Sequence, residues 1–379
     1  MLLFTQIENP FQYRGPSMDD FKQLLTELIR FKSMHSEPRE IQRCAEYIES
    51  YLKAHHVEYR RMDSEGVPSI IAVPGSGKTP VILMSHIDVV DATDDQFNPV
   101  ERDGAIYGRG SLDDKYAAAL SLILLSEHLE RVKASGGSQK DLPFGVLITG
   151  DEEIGGENGA RKALAEIDAD FCIALDGGGL HNIVVKEKGI LRLKISATGK
   201  ASHGARPWLG ENAIDILMRD CITVESFFNE SSADHWHRTA VLSRIQGGGR
   251  SVNQVPDSAE GLFDVRFTEN DDIDDIVETI RRKVRSRIQI DSRGEIFNGG
   301  DSPYLDLLLE ISPETSVGFE HGASDARFLS EHGIQGIVWG ADGDKTAHAV
   351  DEHVNLESVA VLRRILGDFF TRLESRKPD

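Results

Sequence analysis

The sequence predicts an α/β protein, in which a main domain has a largely parallel sheet covered by helices on both faces and is interrupted by a smaller inserted domain. Short, nearly all-apolar runs at 145–149, 171–175 and 334–340 are typical of strands that are buried on both faces. Segments with helical periodicity separate these runs along the chain. Between about residues 188 and 297 the pattern changes to alternating strands, which indicates an insert.

The main domain is predicted to begin with two amphipathic helices, and Pro38 suits the first turn of the second one. Strands and helices then follow up to the insert, and one helix closes the chain. The predicted elements are helices 18–31, 38–54, 113–132 and 356–373, and strands 69–73, 81–85, 145–149, 171–175 and 334–340.

The insert is predicted to run strand, helix, strand, strand, helix, strand, which is the ferredoxin-like βαββαβ unit. Its elements are expected at 191–199, 212–228, 239–246, 259–268, 272–284 and 286–290. We therefore predict a main domain formed by residues 1–187 and 298–379, and an inserted domain formed by residues 188–297.

The composition restricts the partners and the compartment. With 42 Lys+Arg against 63 Asp+Glu, the formal net charge of -21 argues against nucleic acid and against anionic lipid surfaces. No apolar run approaches the roughly 20 residues of a membrane span. The first residues lack the basic region of a signal peptide. Cys44, Cys172 and Cys221 are few and far apart, so we expect buried thiols in a cytoplasmic protein.

Residues with metal-ligand chemistry follow three of the predicted strands. His86 and Asp88 come after the strand at 81–85, the acidic triplet 151–153 follows the next strand, and Asp176 follows the third. The carboxyl ends of strands in open α/β sheets are the usual place for ligands. Alternatively, acidic residues simply begin solvated loops, but this explains one such instance more easily than three.

Some of these side chains suggest a specific role. Because His86 and Asp88 lie two residues apart on an extended segment, they share a face, and the Asp88 carboxylate can accept the other ring N–H of a ligating imidazole. Asp113 and Asp114 fall in the first turn of a predicted helix. They either complement the helix dipole, or Asp113 bridges two metal ions while Asp114 caps the helix.

The acidic triplet also predicts different roles for its two glutamates. Adjacent loop residues point in different directions, so one of Glu152 and Glu153 can bind a metal while the other acts as general base, although such triplets are common in an acidic chain. His348 follows the last predicted strand and completes a set of two imidazoles and three carboxylates. With one carboxylate shared, each of two ions has three protein ligands and open positions, as in catalytic zinc sites. The set is His86, Asp113, Glu153, Asp176 and His348.

Two other patterns imitate binding sites. The segment Pro-Gly-Ser-Gly-Lys-Thr-Pro resembles a phosphate-binding loop, but Ala72 occupies the position of its first glycine and a strand follows, so we expect a hairpin connection. His235 and His237 could chelate a metal, but no carboxylate lies near them in the sequence, so we do not assign them to a site.

Seven segments together resemble one enzyme family in the same order along the chain. They are SHIDVV, GRGSLDDK, TGDEEIGG, ALDGGG, GKASHGARPWLGENAI, HGASDARF and TAHAVDEHV. The sequence resembles the dinuclear zinc metallopeptidases and amidohydrolases that include acetylornithine deacetylase, succinyl-diaminopimelate desuccinylase and glutamate carboxypeptidase. The resemblance covers nearly the whole chain after Met18. One such motif is a weak signal, whereas seven in order are specific.

The resemblance implies two Zn²⁺ per chain, with Co²⁺ or Mn²⁺ as substitutes. It implies that Asp113 bridges the two ions, that Glu152 is the general base and that Asp88 stands behind His86. The implied ligands are His86, Asp113 and Asp176 for one ion, and Asp113, Glu153 and His348 for the other.

The resemblance also implies that the insert is a lid and the interface of a homodimer. His203 matches a lid histidine that reaches the substrate carbonyl, in cis or from the partner subunit. Asn253 and Arg266 match positions that hold the substrate carboxylate, although Arg266 could instead form a salt bridge on a strand. Ala323 and Asp344 depart from a hydroxyl and an amide side chain found in some desuccinylases.

We therefore expect an enzyme that hydrolyses an amide or peptide bond next to a free carboxylate, of carboxypeptidase or dipeptidase type. Its substrate would be a small peptide or an N-acyl amino acid. The alternative within enzymes is an N-acyl amino acid deacylase resembling acetylornithine deacetylase or the desuccinylases. A catalytically silent binding module is a third reading, but such a module would not need Glu152 beside an intact ligand set.

Overall fold

The computed structural model describes residues 17–75, 77–249 and 251–375. Most of the N-terminal segment for which we expect no signal peptide lies outside these residues. The described α-helices are α1 (Met18–Ile29), α2 (Pro38–Ala54), α3 (Lys115–Ala134), α4 (Ala160–Leu164), α5 (Ala213–Glu225), α6 (Ile273–Lys283), α7 (Pro303–Ile311) and α8 (Leu356–Ser375). Among the described helices, none has the length and apolar character needed to cross a membrane.

The strands are mostly short. They are β1 (Arg60–Ser64), β2 (Val67–Ala72), β3 (Thr79–His86), β4 (Val100–Arg102), β5 (Ala105–Tyr107), β6 (Phe144–Thr149), β7 (Ala169–Ala174), β8 (Asn182–Glu187), β9 (Gly189–Thr198), β10 (Ser202–His203), β11 (Thr239–Gly247), β12 (Gln254–Val255), β13 (Ser258–Phe267), β14 (Arg287–Gly294), β15 (Phe297–Asn298), β16 (Ser316–Glu320), β17 (Gln335–Val338) and β18 (His353–Asn355). Short 3₁₀ helices lie at Asp94–Phe97, Gln139–Asp141, Glu152–Ile154, Pro207–Leu209 and Asp325–His332.

The chain divides into two compact units. The first unit consists of the described residues of Met1–Ile183, Asp301–Val317 and His332–Asp379, and the second of those of Val184–Gly300 and Gly318–Glu331. The second unit thus includes a segment, Gly318–Glu331, that comes after the predicted insert in the sequence. The domain boundaries at 187/188 and 297/298 stay a prediction.

The first unit is built on a mixed sheet in which β1, β2, β6, β3, β7 and β17 are neighbours in that order. The pairs β6–β3, β3–β7 and β7–β17 are parallel, whereas β1–β2 and β2–β6 are antiparallel. All residues of β6 are buried, as are nearly all of β3 and β7. Because successive residues of a strand point to opposite faces, both faces are covered. The predicted α/β fold with a largely parallel sheet is confirmed.

The predicted hairpin between the second and third strands is wrong. β2 and β3 are not neighbours, because β6 lies between them, antiparallel to β2 and parallel to β3. The fully buried β6 thereby lies in the interior of the sheet with a strand on each side. The connection after β2 therefore spans two strand spacings, roughly 10 Å, to reach β3.

Helix α3 positions the two aspartates that precede it, Asp113 and Asp114, beside the sheet. Its residues from Lys115 to Ser126 are all buried, and it packs against β3 and β6. Even Lys115 is enclosed, and its Nζ donates a hydrogen bond to the carbonyl of Phe31 at 2.7 Å. Asp113 and Asp114 immediately precede this helix, so its burial fixes their position beside the central strands.

The second unit contains a four-stranded antiparallel sheet with the order β11, β13, β9, β14. Helices α5 and α6 follow β9 and β13 in the sequence, which gives the βαββαβ order of the predicted ferredoxin-like insert. β13 alternates strictly between buried and less buried residues, as expected for a sheet with one face on a core. That core includes Leu193, Phe263 and Val277.

Candidate metal centre

The predicted site residues of the first unit lie at one edge of its sheet. β3 ends at His86, β6 is followed by Asp151, and β7 is followed by Asp176. Since β6, β3, β7 and β17 are parallel neighbours, their carboxyl ends meet at this edge. His348 lies in the connection after β17, and Asp113 lies just before α3.

Two groups of three side chains could each hold a metal ion, and they share Asp113. Within each group the candidate ligand atoms lie within 4.8 Å of one another. Asp113 Oδ1 is 3.0 Å from His86 Nε2, and Asp113 Oδ2 is 3.1 Å from His348 Nε2. One oxygen of this carboxylate therefore faces each group, which is the geometry of a bridging ligand. The groups are His86, Asp113 and Asp176, and Asp113, Glu153 and His348.

The His86 ring is oriented by a hydrogen bond to backbone. Its Nδ1 lies 3.0 Å from the carbonyl oxygen of Asp88 and 3.4 Å from the Asp88 carboxylate. We expected the carboxylate to be this partner, but the carbonyl is nearer. A carbonyl only accepts, so Nδ1 carries the proton and Nε2 is left to bind a metal. Among the described residues, buried Nε2 has no hydrogen-bond partner of acceptable geometry.

The Asp88 carboxylate has a second role besides the predicted one behind His86. It is fully buried and accepts the backbone N–H groups of Glu152 at 3.2 Å and Glu153 at 2.9 Å. Burial opposes its charge, but hydrogen bonds from His35 and His86 outweigh burial and lower the pKa of Asp88 to about 2. In turn, the hydrogen bond to Asp88 raises the pKa of His35. Asp88 thus anchors the loop that carries the acidic triplet.

Glu152 and Glu153 differ in their surroundings. Glu153 Oε2 lies 3.2 Å from His348 Nε2, and its Oε1 accepts the N–H of Val90 at 3.2 Å. Glu152 is half-buried and belongs to neither candidate metal group. This difference agrees with the expectation that adjacent residues of the triplet point in different directions.

The carboxylates give the site a strong preference for positive charge. Burial disfavours a charged His86, yet the carboxylates of Asp113 and Asp88 raise its pKa well above the usual value. Hydrogen bonds with Asp113 and Glu153 raise the pKa of His348 to about 10. Where protonated imidazoles are favoured so strongly, a divalent cation bound by neutral imidazoles has the same electrostatic support.

A buried ion pair connects two of the candidate ligands. Glu352 pairs with Arg109, and its Oε1 also accepts the N–H of Asp113 at 3.1 Å. Arg109 Nη2 donates to the carbonyl of His348 at 3.1 Å. His348 has a left-handed backbone, with φ of 64°, which a non-glycine residue adopts only when its surroundings enforce it.

Asp114 does not cap α3. It occupies the N-cap position, but its side chain makes no capping hydrogen bond, so the predicted capping role is wrong. Instead, Asp114 Oδ2 accepts the N–H of His86 at 3.3 Å, and burial raises the pKa of Asp114 well above its usual value. The carboxyl group turns inward because the end of β3 presents this N–H to it.

The predicted lid residues lie in the second unit. His203 on β10 pairs with Gln254 on β12, and the N–H of Gly204 donates to the carbonyl of Asn253 at 2.6 Å, so His203 and Asn253 are close. Arg266 lies eight residues beyond the start of β13, roughly 26 Å along the strand. Its guanidinium pairs with Asp264 at 2.7 Å, which is the alternative that the sequence left open.

The sequence did not single out three residues that the structure places around the site. Arg109 and Glu352 lie inside GRGSLDDK and TAHAVDEHV, so the motifs contained the signal, but their pairing requires the fold. His35 lies between α1 and α2, in a segment without any motif. His235 and His237 belong to neither of the metal-binding groups found among the described residues.

Comparisons with known proteins identify the family of this chain. Residues 82–372 match the model of peptidase family M20/M25/M40. A succinyl-diaminopimelate desuccinylase of Paracoccus denitrificans is 27% identical over 339 residues, which cover 81% of this chain and 87% of that protein. A probable carboxypeptidase of Aspergillus clavatus is 29% identical over 340 residues, covering 81% and 78%. The fold is also similar to an M20 family metallo-carboxypeptidase from Sulfolobus solfataricus, with a TM-score of 0.75, 18% identity, and coverage of 94% and 100%.

Proposed function

The chain belongs to peptidase family M20/M25/M40, and from this membership we propose that it hydrolyses an amide or peptide bond next to a free carboxylate. The membership confirms the resemblance carried by the seven segments. The chain is a metallohydrolase that acts on amide bonds. We assign it to the carboxypeptidase or dipeptidase type. The observation that carries the proposal of metal-dependent hydrolysis is the position of Asp113, whose two oxygens face two separate groups of candidate ligands.

The donor set supports two zinc ions, with Co²⁺ or Mn²⁺ as substitutes. Imidazole nitrogens and carboxylate oxygens are common zinc ligands, and three protein ligands per ion leave positions for water and substrate. The buried Nε2 of His86, left without a hydrogen-bond partner of acceptable geometry, fits a ligating nitrogen. His86 and Asp176 would hold one ion, Glu153 and His348 the other, and Asp113 both.

In this proposal Glu152 is the general base. Bound zinc would supply Lewis-acid polarisation of the substrate carbonyl and would acidify a water molecule. Glu152 accepts a proton from the attacking water and passes it to the leaving amine. Asp88 supports this role, because its carboxylate holds the backbone N–H groups of both Glu152 and Glu153.

We further propose that the second unit acts as a lid and contributes substrate contacts. His203 would stabilise the oxyanion, and Asn253 and Arg266 would bind the substrate carboxylate. The sequence resemblance supports these roles, and the neighbouring positions of His203 and Asn253 agree with a shared one. Lid closure would exclude water during the reaction.

We also propose a cytoplasmic homodimer. Its three cysteines are buried free thiols, as is usual in a reducing compartment. A dimer formed by the second unit is supported by exposed apolar side chains on α5 and on the edge strand β11.

A second candidate function is the deacylation of N-acyl amino acids, which the similarity to a desuccinylase favours. The discriminating experiment is a substrate panel with the zinc-loaded enzyme. Dipeptides, the same dipeptides with an amidated carboxyl end, and N-acetyl and N-succinyl amino acids would be compared by kcat/KM. A carboxypeptidase or dipeptidase prefers unblocked dipeptides, whereas a deacylase prefers the acylated amino acids.

The roles of the two glutamates can be separated by substitution. Glu152→Gln should keep the bound metal but lower kcat by roughly 10²–10⁴-fold, because the proton acceptor is lost. Glu153→Ala should lose metal, since it removes a ligand. Elemental analysis and steady-state kinetics measure both effects, and Glu157→Gln, on the exposed surface of the same loop, is the matched control. Metal loss in Glu152→Gln with a fully metallated, active Glu153→Ala would reverse the two assignments.

A further inference from the structure

The connection between α1 and α2 runs beside the loop that follows β3. Ser33 accepts the N–H of Val89 at 3.0 Å through its carbonyl, and its hydroxyl donates to the carbonyl of Ile87 at 2.6 Å. Ser33 is fully buried. These bonds fix the residues 33–36 against the metal-site loop, so a side chain in this segment has a defined position relative to that loop.

The side chain that uses this position is His35. Its Nε2 lies 2.9 Å from Asp88 Oδ2, and a quarter of the side chain is exposed, whereas Asp88 is fully buried. A carboxylate only accepts hydrogen bonds, so Nε2 is the donor in this pair. A hydrogen bond from a side chain to a buried carboxylate is among the stronger kinds, because one partner is charged.

The bond from His35 acts on the loop of the catalytic glutamates through Asp88. Asp88 Oδ2 accepts from both His35 and the Glu153 N–H, and Oδ1 accepts from the Glu152 N–H. The terminal torsion of an aspartate is soft, so its plane depends on its hydrogen-bond partners. Removal of His35 takes away the side-chain donor of Oδ2, so the carboxylate plane is free to rotate and the two backbone bonds lose their alignment.

We propose that His35 is a positioning residue for the hydrolytic reaction. It fixes the orientation of the Asp88 carboxylate. The fixed carboxylate holds the backbone of Glu152 and Glu153 in place and so determines the position of the Glu152 side chain, the general base. The proposal rests on the function proposed above. It assigns His35 no contact with substrate or metal, and it requires only that the side chain at position 35 donates a hydrogen bond from the place of Nε2.

That requirement selects the test variants. In His35→Gln the amide nitrogen reaches the place of Nε2, in His35→Asn the same group stops short, and in His35→Leu the donor is absent. We expect kcat to fall roughly 10–100-fold in the Leu and Asn variants, with KM and metal content unchanged, and to be largely restored in His35→Gln. Hydrogen exchange of a peptide covering 150–155 should be faster in the Leu and Asn variants, whether or not substrate is present.

The controls separate this proposal from the one on which it rests. His55→Leu, at another half-buried histidine of the first unit, should leave kcat and exchange unchanged. Full activity in His35→Leu, or equal losses in the Gln and Asn variants, would refute the positioning role while wild type and Glu152→Gln still behave as predicted. Should His35→Leu not fold, the Gln and Asn pair decides alone. A wild-type enzyme without amidase activity would instead refute the proposed function, and the exchange measurement would still test the link to Asp88.

Discussion

At the scale of single residues, the hydrogen-bond and ion-pair partners of Asp113 and Asp88 give these two carboxylates different roles. Asp113 precedes a helix that the chain must bury, and its two oxygens face two imidazoles as a bridging ligand would. The Asp88 carboxylate accepts the backbone N–H groups of Glu152 and Glu153, and the carbonyl of Asp88 is nearer to His86 Nδ1 than its carboxylate is. The loop that carries Glu152 is 64 residues away from Asp88, so the spacing of His86 and Asp88 alone cannot reveal these bonds.

The Arg109–Glu352 pair yields a prediction about metal affinity. Glu352 accepts the N–H of Asp113, and Arg109 donates to the carbonyl of His348. The pair therefore connects the ligand that both groups share with a ligand of the second group. Breaking a buried ion pair leaves one charge uncompensated, at a cost of about 3–5 kcal/mol. Arg109→Met should therefore lower the unfolding temperature and weaken metal binding, as measured by calorimetry.

The controls for this prediction use the same pair. Arg109→Met combined with Glu352→Gln removes both charges and should recover part of the stability lost by Arg109→Met alone. Arg161→Met, at an exposed ion pair, should change stability by less than about 1 kcal/mol. Unchanged metal affinity in Arg109→Met would show that Asp113 and His348 are held without this pair.

At the scale of elements, the order of the strands in the sheet was harder to predict than the positions of the strands and helices in the sequence. The strands preceding His86, Asp151 and Asp176 were predictable because they are short apolar runs, and so were the helices that flank them. The position of β6 between β2 and β3 was not, because adjacent strands in sequence usually pair and nothing in the connecting segment opposes a hairpin. β1 and α7 are short, so the hydrophobic periodicity of their sequences does not distinguish them from loops.

The ends of β7 and β17 are clamped together by α3, which predicts a sensitive glycine. The Tyr116 hydroxyl donates to the carbonyl of Leu175 at 2.6 Å and accepts the N–H of Ala341 at 2.9 Å. A Cβ on Gly340 would lie 2.3 Å from this hydroxyl and 2.9 Å from the carbonyl of Gly177. Gly340→Ala should destabilise the protein by about 1–3 kcal/mol through overpacking, measured by urea unfolding.

The source of that cost can be tested by combining Gly340→Ala with Tyr116→Phe. Removing the hydroxyl relieves the closest contact, so the double variant should lose less than the sum of the two single variants. Gly367→Ala, a glycine of α8 with open space where its Cβ would lie, is the control. Additive losses would mean that the crowding at Gly340 comes from the backbone carbonyl rather than from Tyr116.

At the scale of the whole molecule, one buried histidine predicts how stability depends on pH. His128 is 3% exposed, donates from Nδ1 to the carbonyl of Leu124, and packs against Phe144 and Phe370. Burial, with a smaller contribution from Arg131, lowers its pKa from 6.5 to about 4. The unfolded chain therefore binds this proton first, and the stability contributed by neutral His128 is fully present above about pH 6.5 and is lost toward pH 4.

The difference of about 2.5 pKa units corresponds to about 3 kcal/mol over that interval. The unfolding free energy of His128→Leu should fall less steeply between pH 6.5 and 4 than that of wild type, whatever its absolute value. His181→Leu, at an exposed histidine, should keep the wild-type slope. Parallel curves for wild type and His128→Leu would mean that His128 is already protonated in the folded protein or that water reaches it.

The last prediction concerns assembly. Met218 and Ile222 stand one turn apart on α5 and are 53% and 66% exposed, and α5 packs against β11, an edge strand on which Val241 and Ile245 are also exposed. A second copy of the chain would cover this apolar surface and the edge. Met218→Glu with Ile222→Glu should therefore give a monomer in analytical ultracentrifugation that still binds metal. Arg282→Glu, at an exposed position of α6, should remain dimeric.

Whether His203 acts in the site of its own subunit or in that of the partner subunit can be tested with the same dimer. His203→Ala should keep metal and dimer but lose most turnover, as Glu152→Gln should, because each removes one part of the proposed machinery. If His203 serves the partner's site, a mixed dimer of the two variants collects both lesions in one site and leaves the other intact, so activity returns on mixing. If His203 serves its own subunit, every site keeps one lesion and mixing restores nothing. A fully active wild-type monomer would exclude both the dimer and the trans arrangement.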